Sequence, residues 1–191
     1  MRMLIMGPPG AGKGTQAGAI AEHYGIPAIS TGMIFRLAIT DRTALGERIK
    51  RVIAQGGYVS DDLTLQVVHA RLAQPDAANG WLLDGFPRTV GQVVSLDNDL
   101  ANDGNKVDAV IALTADEDAV VARLLKRAEI EGREDDNEAT IRNRMAVYAA
   151  ETGPLLDVYR ARGVLIEVDG LGSVDEVAER IFTALDAKVG V

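Results

Sequence analysis

A glycine-rich loop near the start of the chain carries the clearest chemical signal. It reads Gly-Pro-Pro-Gly-Ala-Gly-Lys-Gly-Thr over 7–15, after the apolar run Met3–Met6 and before a helix-compatible segment, Gln16–Tyr24. Glycines let backbone N–H groups turn toward an anion, and the helix N-terminus adds a partial positive charge. Lys13 adds a full positive charge. The spacing of these glycines and the lysine predicts a phosphate-binding P-loop.

One residue of this loop departs from the usual P-loop pattern, which has Ser or Thr directly after the lysine. Gly14 occupies that position, and the hydroxyl comes one residue later, on Thr15. An ordinary ATPase or GTPase is therefore a poorer interpretation, and the loop indicates a narrower group of phosphate-binding proteins.

An acidic and a basic residue follow a second apolar run, in the stretch Trp-Leu-Leu-Asp-Gly-Phe-Pro-Arg over 81–88. Asp84 would end a buried strand, where a carboxylate beside a P-loop can hold the water shell of Mg²⁺. Arg88 could clamp a second phosphate through its planar fork of N–H donors. The plainer alternatives are that Asp84 is a loop or cap residue and that Arg88 is a solvated surface charge.

Short, continuous apolar runs predict the strands that position these loops. They are Met3–Met6, Trp81–Leu83, Val107–Leu113 and Val164–Val168, with a weaker run at Ile26–Ile29. Such runs are typical of parallel strands covered by helices on both faces, and helical patterns separate the runs here. We therefore predict an α/β fold of three layers, doubly wound around a five-stranded parallel sheet. Ligands would bind beyond the carboxyl ends of its strands.

Composition limits the class of protein. A chain of 191 residues suffices for one α/β domain, and its net charge of −8 argues against nucleic acid as the main partner. With no cysteine, it can form neither a disulfide nor a cysteine-ligated zinc site. Its apolar runs are too short for a signal peptide or a membrane span. We therefore expect a cytoplasmic protein without a nucleic-acid or membrane partner.

Three sequence blocks and one single residue together resemble adenylate kinase. They are Gly-Pro-Pro-Gly-Ala-Gly-Lys-Gly-Thr-Gln over 7–16, Ser-Thr-Gly over 30–32, Asp-Gly-Phe-Pro-Arg-Thr over 84–89, and Gln92. A glycine after the P-loop lysine is usual in that family. The resemblance covers essentially the whole chain and implies a P-loop NTPase fold. It also implies an enzyme that uses Mg²⁺ in the reversible transfer of the ATP terminal phosphoryl group to AMP, giving two ADP. Since no large exposed apolar helix in the sequence argues for a dimer, we expect a monomer.

The resemblance further implies a division of the chain into three parts. A core would comprise 1–29, 60–125 and 137–191, and an AMP-binding flap would comprise 30–59. A lid over 126–136 would be short, with no room for a zinc-binding knuckle. These boundaries are expectations for the structure.

Site residues follow from the resemblance, position by position. For ATP it implies Gly10, Ala11, Gly12, Lys13, Gly14, Thr15, Arg123, Arg127, Gly170 and Gly172. For AMP it implies Thr31, Arg36, Gly57, Tyr58, Val59, Gly85, Phe86, Pro87, Arg88, Gln92, Arg133 and Arg144, with Gln92 reading the adenine edge. For phosphoryl transfer it implies Lys13, Arg88, Arg123, Arg127, Arg133 and Arg144. Asp84 would hold Mg²⁺ through water.

The chemistry of such a reaction agrees with the residues present. Transfer between two phosphates needs positioning and charge neutralisation, and the acceptor oxygen is already anionic, so no general base is required. The sequence has no obvious Ser/His/Asp or Cys/His arrangement. Arg123 and Arg127 are four residues apart and would share a helix face. Ion pairing with nearby acidic residues is the alternative role for them.

Two features of the sequence do not follow from the resemblance to adenylate kinase. Met33 stands where the family usually has an aspartate near the Mg²⁺ water network, so we expect altered Mg²⁺ dependence. Asn-Lys-Val-Asp over 105–108 matches a guanine-reading motif of GTPases, but it precedes an apolar run instead of following one. We predict a turn over 102–106.

Three functions are alternatives to an adenylate kinase: a UMP/CMP kinase, a GTP-dependent switch protein and an inactive nucleotide-binding protein. Thr31 and Gln92 favour AMP over UMP or CMP as the acceptor.

Overall fold

Five parallel strands form one sheet at the centre of the molecule. The computed structural model describes residues 1–41, 44–133 and 136–189. The strands are β1 (Arg2–Met6), β2 (Ala28–Ser30), β3 (Trp81–Asp84), β4 (Ala109–Thr114) and β5 (Leu165–Asp169). Their order in the sheet is β2-β3-β1-β4-β5, and every pairing is parallel. The predicted fold class is confirmed.

Helices connect the strands. They are α1 (Lys13–Tyr24), α2 (Thr31–Thr40), α3 (Ala44–Ala54), α4 (Asp61–Leu72), α5 (Val90–Asn102), α6 (Glu117–Glu131), α7 (Glu138–Val147), α8 (Leu155–Ala161) and α9 (Val174–Val189). A 3₁₀ turn at Pro75–Ala77 precedes β3, and a π-helical turn at Tyr148–Thr152 joins α7 to α8. Asp116 caps α6, since its carboxylate accepts hydrogen bonds from the N–H groups of Asp118 and Ala119.

Apolar side chains pack against both faces of the sheet, which explains why the strand sequences are continuously apolar. Leu4 and Met6 of β1 belong to one buried cluster, while Met3 and Ile5 belong to another on the opposite face. Successive residues of a strand point to opposite faces, so a strand between two helical layers needs apolar residues at every position. The result is the predicted arrangement of three layers.

The register of the sheet brings the functional loops to one edge. Ile5 lies beside Asp84, and Asp84 lies beside Ser30. Thr114 on β4 lies beside Asp169 on β5. Parallel strands have their carboxyl ends at the same edge of a sheet. The P-loop, the segment after Asp84 and the start of α2 therefore emerge next to one another.

Some predicted boundaries were shifted by one to three residues. The apolar run from Val107 becomes a strand only at Ala109, although Val107 itself is buried. The first helix begins at Lys13 and not at Gln16. The predicted turn over 102–106 is confirmed, since α5 ends at Asn102 and the chain turns at Gly104, where φ is +67°.

Two predicted peripheral segments are described only in part. In the flap, 30–59, α2 and α3 lie on either side of 42–43, which are outside the described residues. In the lid, 126–136, α6 continues to Glu131, and 134–135 are likewise outside them. Within the described ranges, the helices are too short or too polar to cross a membrane.

Candidate active site

The glycine-rich loop joins β1 to α1 and packs tightly against the core. Gly7 has a φ of +142°, and a Cβ at this position would lie 2.6 Å from the carbonyl oxygen of Leu113. At Gly10, where φ is +84°, a Cβ would lie 2.9 Å from the Leu124 side chain and 3.0 Å from the Val120 carbonyl oxygen. Glycine is therefore required at both positions, and α6 is held directly against the loop.

Lys13, at the first turn of α1, points back into this loop. Its Nζ donates hydrogen bonds to the carbonyl oxygens of Gly7 at 2.7 Å and Pro8 at 2.9 Å. Burial lowers the pKa of Lys13 to about 8, and the neighbouring Asp84 carboxylate opposes that shift. The guanidinium groups of Arg88, Arg144 and Arg127 lower the same pKa further. Four cations therefore act on one region, which favours a polyanionic ligand.

A cavity opens beside the P-loop, beyond the carboxyl ends of β1 and β3. Lys13 lines it together with most of the residues expected at the AMP site: Arg36, Gly57, Tyr58, Val59, Gly85, Phe86, Pro87, Arg88, Gln92 and Arg144. Thr31 and Arg133 are not among the lining residues. The buried Thr31 hydroxyl donates to the Gly85 carbonyl oxygen at 2.9 Å, and the Nε of Arg133 pairs with Glu131 at 2.6 Å.

Arg88 is fixed from several sides. Its Nε donates to the Gly85 carbonyl oxygen at 2.7 Å, and its guanidinium carbon lies 4.8 Å from the centre of the Tyr58 ring. The Thr152 hydroxyl donates to the Arg88 carbonyl oxygen at 2.9 Å and lies 2.8 Å from the Tyr58 hydroxyl. Because the single hydroxyl proton of Thr152 is donated to Arg88, the Tyr58 hydroxyl must donate to the Thr152 hydroxyl oxygen. Sequence reasoning missed Thr152, which is 64 residues from Arg88.

Two of the expected lid arginines share one buried carboxylate, that of Asp136. Arg127 donates through Nε to Oδ2 at 2.6 Å and through Nη2 to Oδ1 at 2.8 Å, and Arg144 donates to Oδ1 at 2.6 Å. The Asp136 side chain has no exposed surface. Arg127 is therefore ion-paired with an acidic residue in this structure, which is the alternative role that the sequence left open for it. Sequence reasoning gave Asp136 no role, although an acid flanked by arginines was a signal.

The remaining arginine of α6 contacts the loop after β5. Arg123 Nη1 donates to the Gly170 carbonyl oxygen at 2.9 Å. A Cβ at Gly170 would lie 3.0 Å from the carbonyl oxygens of Ala11 and Thr114, so this loop packs on the P-loop. Gly172, with φ of +119°, precedes α9, and a Cβ there would lie 2.8 Å from a Glu176 carboxylate oxygen. The expected ATP side therefore combines α6, the P-loop and the loop after β5.

The expected magnesium position has one carboxylate close to the P-loop. Asp84 Oδ2 accepts a hydrogen bond from the Ser30 hydroxyl at 3.1 Å and lies 3.9 Å from the position of a Cβ on Gly14. Across the described ranges, no group of three His, Cys, Asp or Glu side chains is placed to hold a metal. The Met33 side chain is 61% exposed on α2. Mg²⁺ commonly binds through one carboxylate, water and substrate phosphates, and the donors here fit that mode.

Comparison with known proteins decides the family. The family model of adenylate kinase matches residues 5–164. This chain belongs to the adenylate kinase family. An adenylate kinase from Clavibacter michiganensis is 60% identical over 184 residues, which are 96% of this chain and 92% of the relative. One from a Nocardioides species is 55% identical over 97% of each chain, and one from Thermobifida fusca is 46% identical over 98% of this chain and all of the relative.

Membership in the adenylate kinase family confirms the resemblance read from the sequence. It makes the chain a phosphotransferase of the nucleoside monophosphate kinase class. The GTP-dependent switch is not favoured, because its motif at 105–108 lies partly in the turn before β4 and does not follow a strand. Adenylate kinases bind ATP and AMP or ADP and use Mg²⁺ with ATP.

Proposed function

We propose that this chain catalyses the reversible, Mg²⁺-dependent transfer of the terminal phosphoryl group of ATP to AMP, giving two ADP. The observation that carries the proposal is a cavity that adjoins the P-loop and is lined by Lys13, Arg88 and Arg144. A P-loop binds one nucleotide. Two further arginines in an adjoining cavity suit a second phosphate, because the guanidinium fork matches phosphate geometry.

The two nucleotides would bind on opposite sides of this cation cluster. The ATP phosphates would lie on the P-loop, residues 7–15, with Arg123 and Arg127 of α6 beside them. AMP would occupy the cavity, with its phosphate on Arg88 and its base near Gln92. Arg36 of the flap also lines that cavity, which supports its role in binding AMP. Thr31 would also hold AMP, and its hydroxyl donates to the Gly85 carbonyl oxygen at the edge of the cavity.

Catalysis by this site would depend on charge and position. The AMP phosphate oxygen is itself the nucleophile, so the protein must only align it with the ATP phosphorus and neutralise charge on the transferred group. Lys13 and the arginines at 88, 123, 127, 133 and 144 would supply that neutralisation. Closure of the lid, 126–136, and of the flap, 30–59, would exclude water as a competing acceptor.

Asp84 would hold Mg²⁺ through water molecules, at the end of β3. When bound, the ion neutralises charge on the ATP phosphates. Nothing in the structure explains why Met33 replaces the usual acidic residue, and its side chain faces solvent. The expectation of altered Mg²⁺ dependence remains a prediction. We also propose that the protein acts in the cytoplasm as a monomer.

An acceptor panel tests the proposal. Phosphoryl transfer from ATP would be measured by coupled assay with AMP, CMP, UMP and GMP, each over a range of Mg²⁺ concentrations. We expect ADP formation with AMP to exceed transfer to the other acceptors and to require Mg²⁺. Faster transfer to CMP or UMP would contradict the assignment of AMP. Tight GTP binding without transfer to any monophosphate would contradict the kinase itself.

A further inference from the structure

The side-chain amide of Gln92 is held at both ends by the protein. Its Oε1 accepts a hydrogen bond from the backbone N–H of Arg88 at 2.8 Å. Its Nε2 donates to Oδ1 of Asp61 at 2.7 Å. Gln92 is 1% exposed and lines the cavity proposed for AMP. Asp61 is not itself among the residues that line this cavity.

These partners permit one orientation of the amide. A carboxylate only accepts hydrogen bonds, so the NH₂ group of Gln92 must face Asp61; a backbone N–H only donates, so the amide oxygen must face Arg88. If the amide turned by 180°, its oxygen would face the carboxylate and its NH₂ group would face an N–H. Both buried contacts would then be repulsive and unsatisfied.

The Asp61 carboxylate is itself held in place by contacts with the start of α5. Its Oδ2 accepts a hydrogen bond from the Thr89 hydroxyl at 2.8 Å. A Cβ on Gly91 would lie 3.0 Å from the same oxygen, so the glycine leaves room for the carboxylate to approach α5. Asp61 begins α4 and thereby reaches the first turn of α5 across 31 residues of sequence.

A fixed amide distinguishes between purines. The second lone pair of Gln92 Oε1 can accept from an exocyclic amino group, and the second N–H of Nε2 can donate to an unprotonated ring nitrogen. A 6-aminopurine presents that donor and that acceptor side by side. A 6-oxopurine presents them in the reverse order and would require the turned amide. Cytosine shares the amino pattern, so the informative competitor is a 6-oxopurine of the same size.

We propose that Asp61 is a specificity-determining positioning residue, which locks the Gln92 amide and so selects 6-amino over 6-oxo purine monophosphates. The inference rests on the proposed function, in which AMP occupies this cavity. Asp61 acts through Gln92 and has no direct contact with the base. A site built to pair with one pattern rejects the reversed one because its buried groups are left unpaired.

The test compares AMP with IMP as acceptors at neutral pH. In Asp61→Asn the new amide can donate or accept, so one of the two constraints on Gln92 is lost and only the Arg88 N–H still opposes the turned orientation. We expect the ratio of kcat/KM for AMP over IMP to fall roughly tenfold or more, mainly through a higher KM for AMP. The matched control is Asp62→Asn, which removes the next acidic residue of the same helix turn, exposed on α4. Its ratio should stay within about twofold of the wild type.

A double-mutant cycle shows whether Asp61 acts through Gln92. In a Gln92→Leu background, Asp61→Asn should leave the AMP to IMP ratio unchanged. If Asp61→Asn folds poorly, Gly91→Ala displaces the carboxylate without removing it and should lower the ratio in the same direction.

Three results would overturn the inference: an unchanged ratio in Asp61→Asn, an equal fall in Asp62→Asn, or a fall that persists without Gln92. A wild-type enzyme that does not use AMP would overturn the proposed function as well. The two failures are therefore distinguishable.

Discussion

Replacing Asp136 by asparagine should destabilise the protein more than any change to an exposed ion pair. The carboxylate has no exposed surface and receives three short hydrogen bonds, at 2.6, 2.8 and 2.6 Å, from Arg127 and Arg144. In Asp136→Asn the charge is lost, and the amide NH₂ group must face a guanidinium N–H. Removal of one partner from a buried ion pair costs about 3–5 kcal/mol, because the other charge is left uncompensated.

For a chain of this size, that loss corresponds to a fall in Tm of about 10 °C. The assay is urea unfolding followed by circular dichroism, with thermal unfolding beside it. The matched control is Glu138→Gln, which breaks an ion pair with Arg142 whose side chains are 65% and 68% exposed. Exposed pairs contribute about 0–1 kcal/mol. A loss below about 1 kcal/mol for Asp136→Asn, or one no larger than that of the control, would refute the reasoning.

Two further predictions concern the cations themselves. Arg88→Ala should lower kcat by about 100-fold or more, while the free energy of unfolding changes by about 1 kcal/mol at most. The control is Arg142→Ala, at an exposed arginine. If kcat of Arg88→Ala stays within about threefold of the wild type, Arg88 does not belong to the site. Lys13→Met should abolish turnover. It should nevertheless raise the free energy of unfolding at pH 7 by about 2 kcal/mol, since it removes an ammonium group whose pKa is lowered by burial. That pKa falls from 10.5 to about 8 on folding, so between these values the unfolded wild type binds more protons. Wild-type stability should therefore rise with pH over that interval, and urea unfolding at several pH values would show parallel curves for both proteins if the argument is wrong.

Local patterns in the sequence sufficed to predict the sheet and the P-loop. A strand buried on both faces must be apolar throughout, so the runs at Met3–Met6 and Trp81–Leu83 are visible without a structure. The same rule explains the error at β4. Val107 is apolar because it is buried, but burial does not require a ladder hydrogen bond, and the strand begins two residues later.

Residues that position the site by distant contacts could not be predicted in this way. Thr152 reaches Arg88 across 64 residues and Asp61 reaches Gln92 across 31. Neither spacing has a local period, so these pairs become visible only when the folded chain brings α4 and the π-helical turn to β3 and α5. The residues proposed to touch phosphate are recognisable by their charge, whereas those that orient them are ordinary polar residues.

The cations of this site already have acceptors in the protein, and this determines what phosphate binding can contribute. Lys13 donates to two carbonyl oxygens of the P-loop, Arg88 to Gly85, Arg123 to Gly170, and Arg127 and Arg144 to Asp136. Asp136 holds two of these like charges close together, those of Arg127 and Arg144. A bound nucleotide would exchange one set of acceptors for another, so the net gain per hydrogen bond in the ground state is modest. The negative charge that develops on the transferred phosphoryl group is different, because none of these carbonyl and carboxylate acceptors gains charge in a comparable way. The cluster should therefore stabilise the transition state more than it stabilises bound ATP, which is the condition for a high rate.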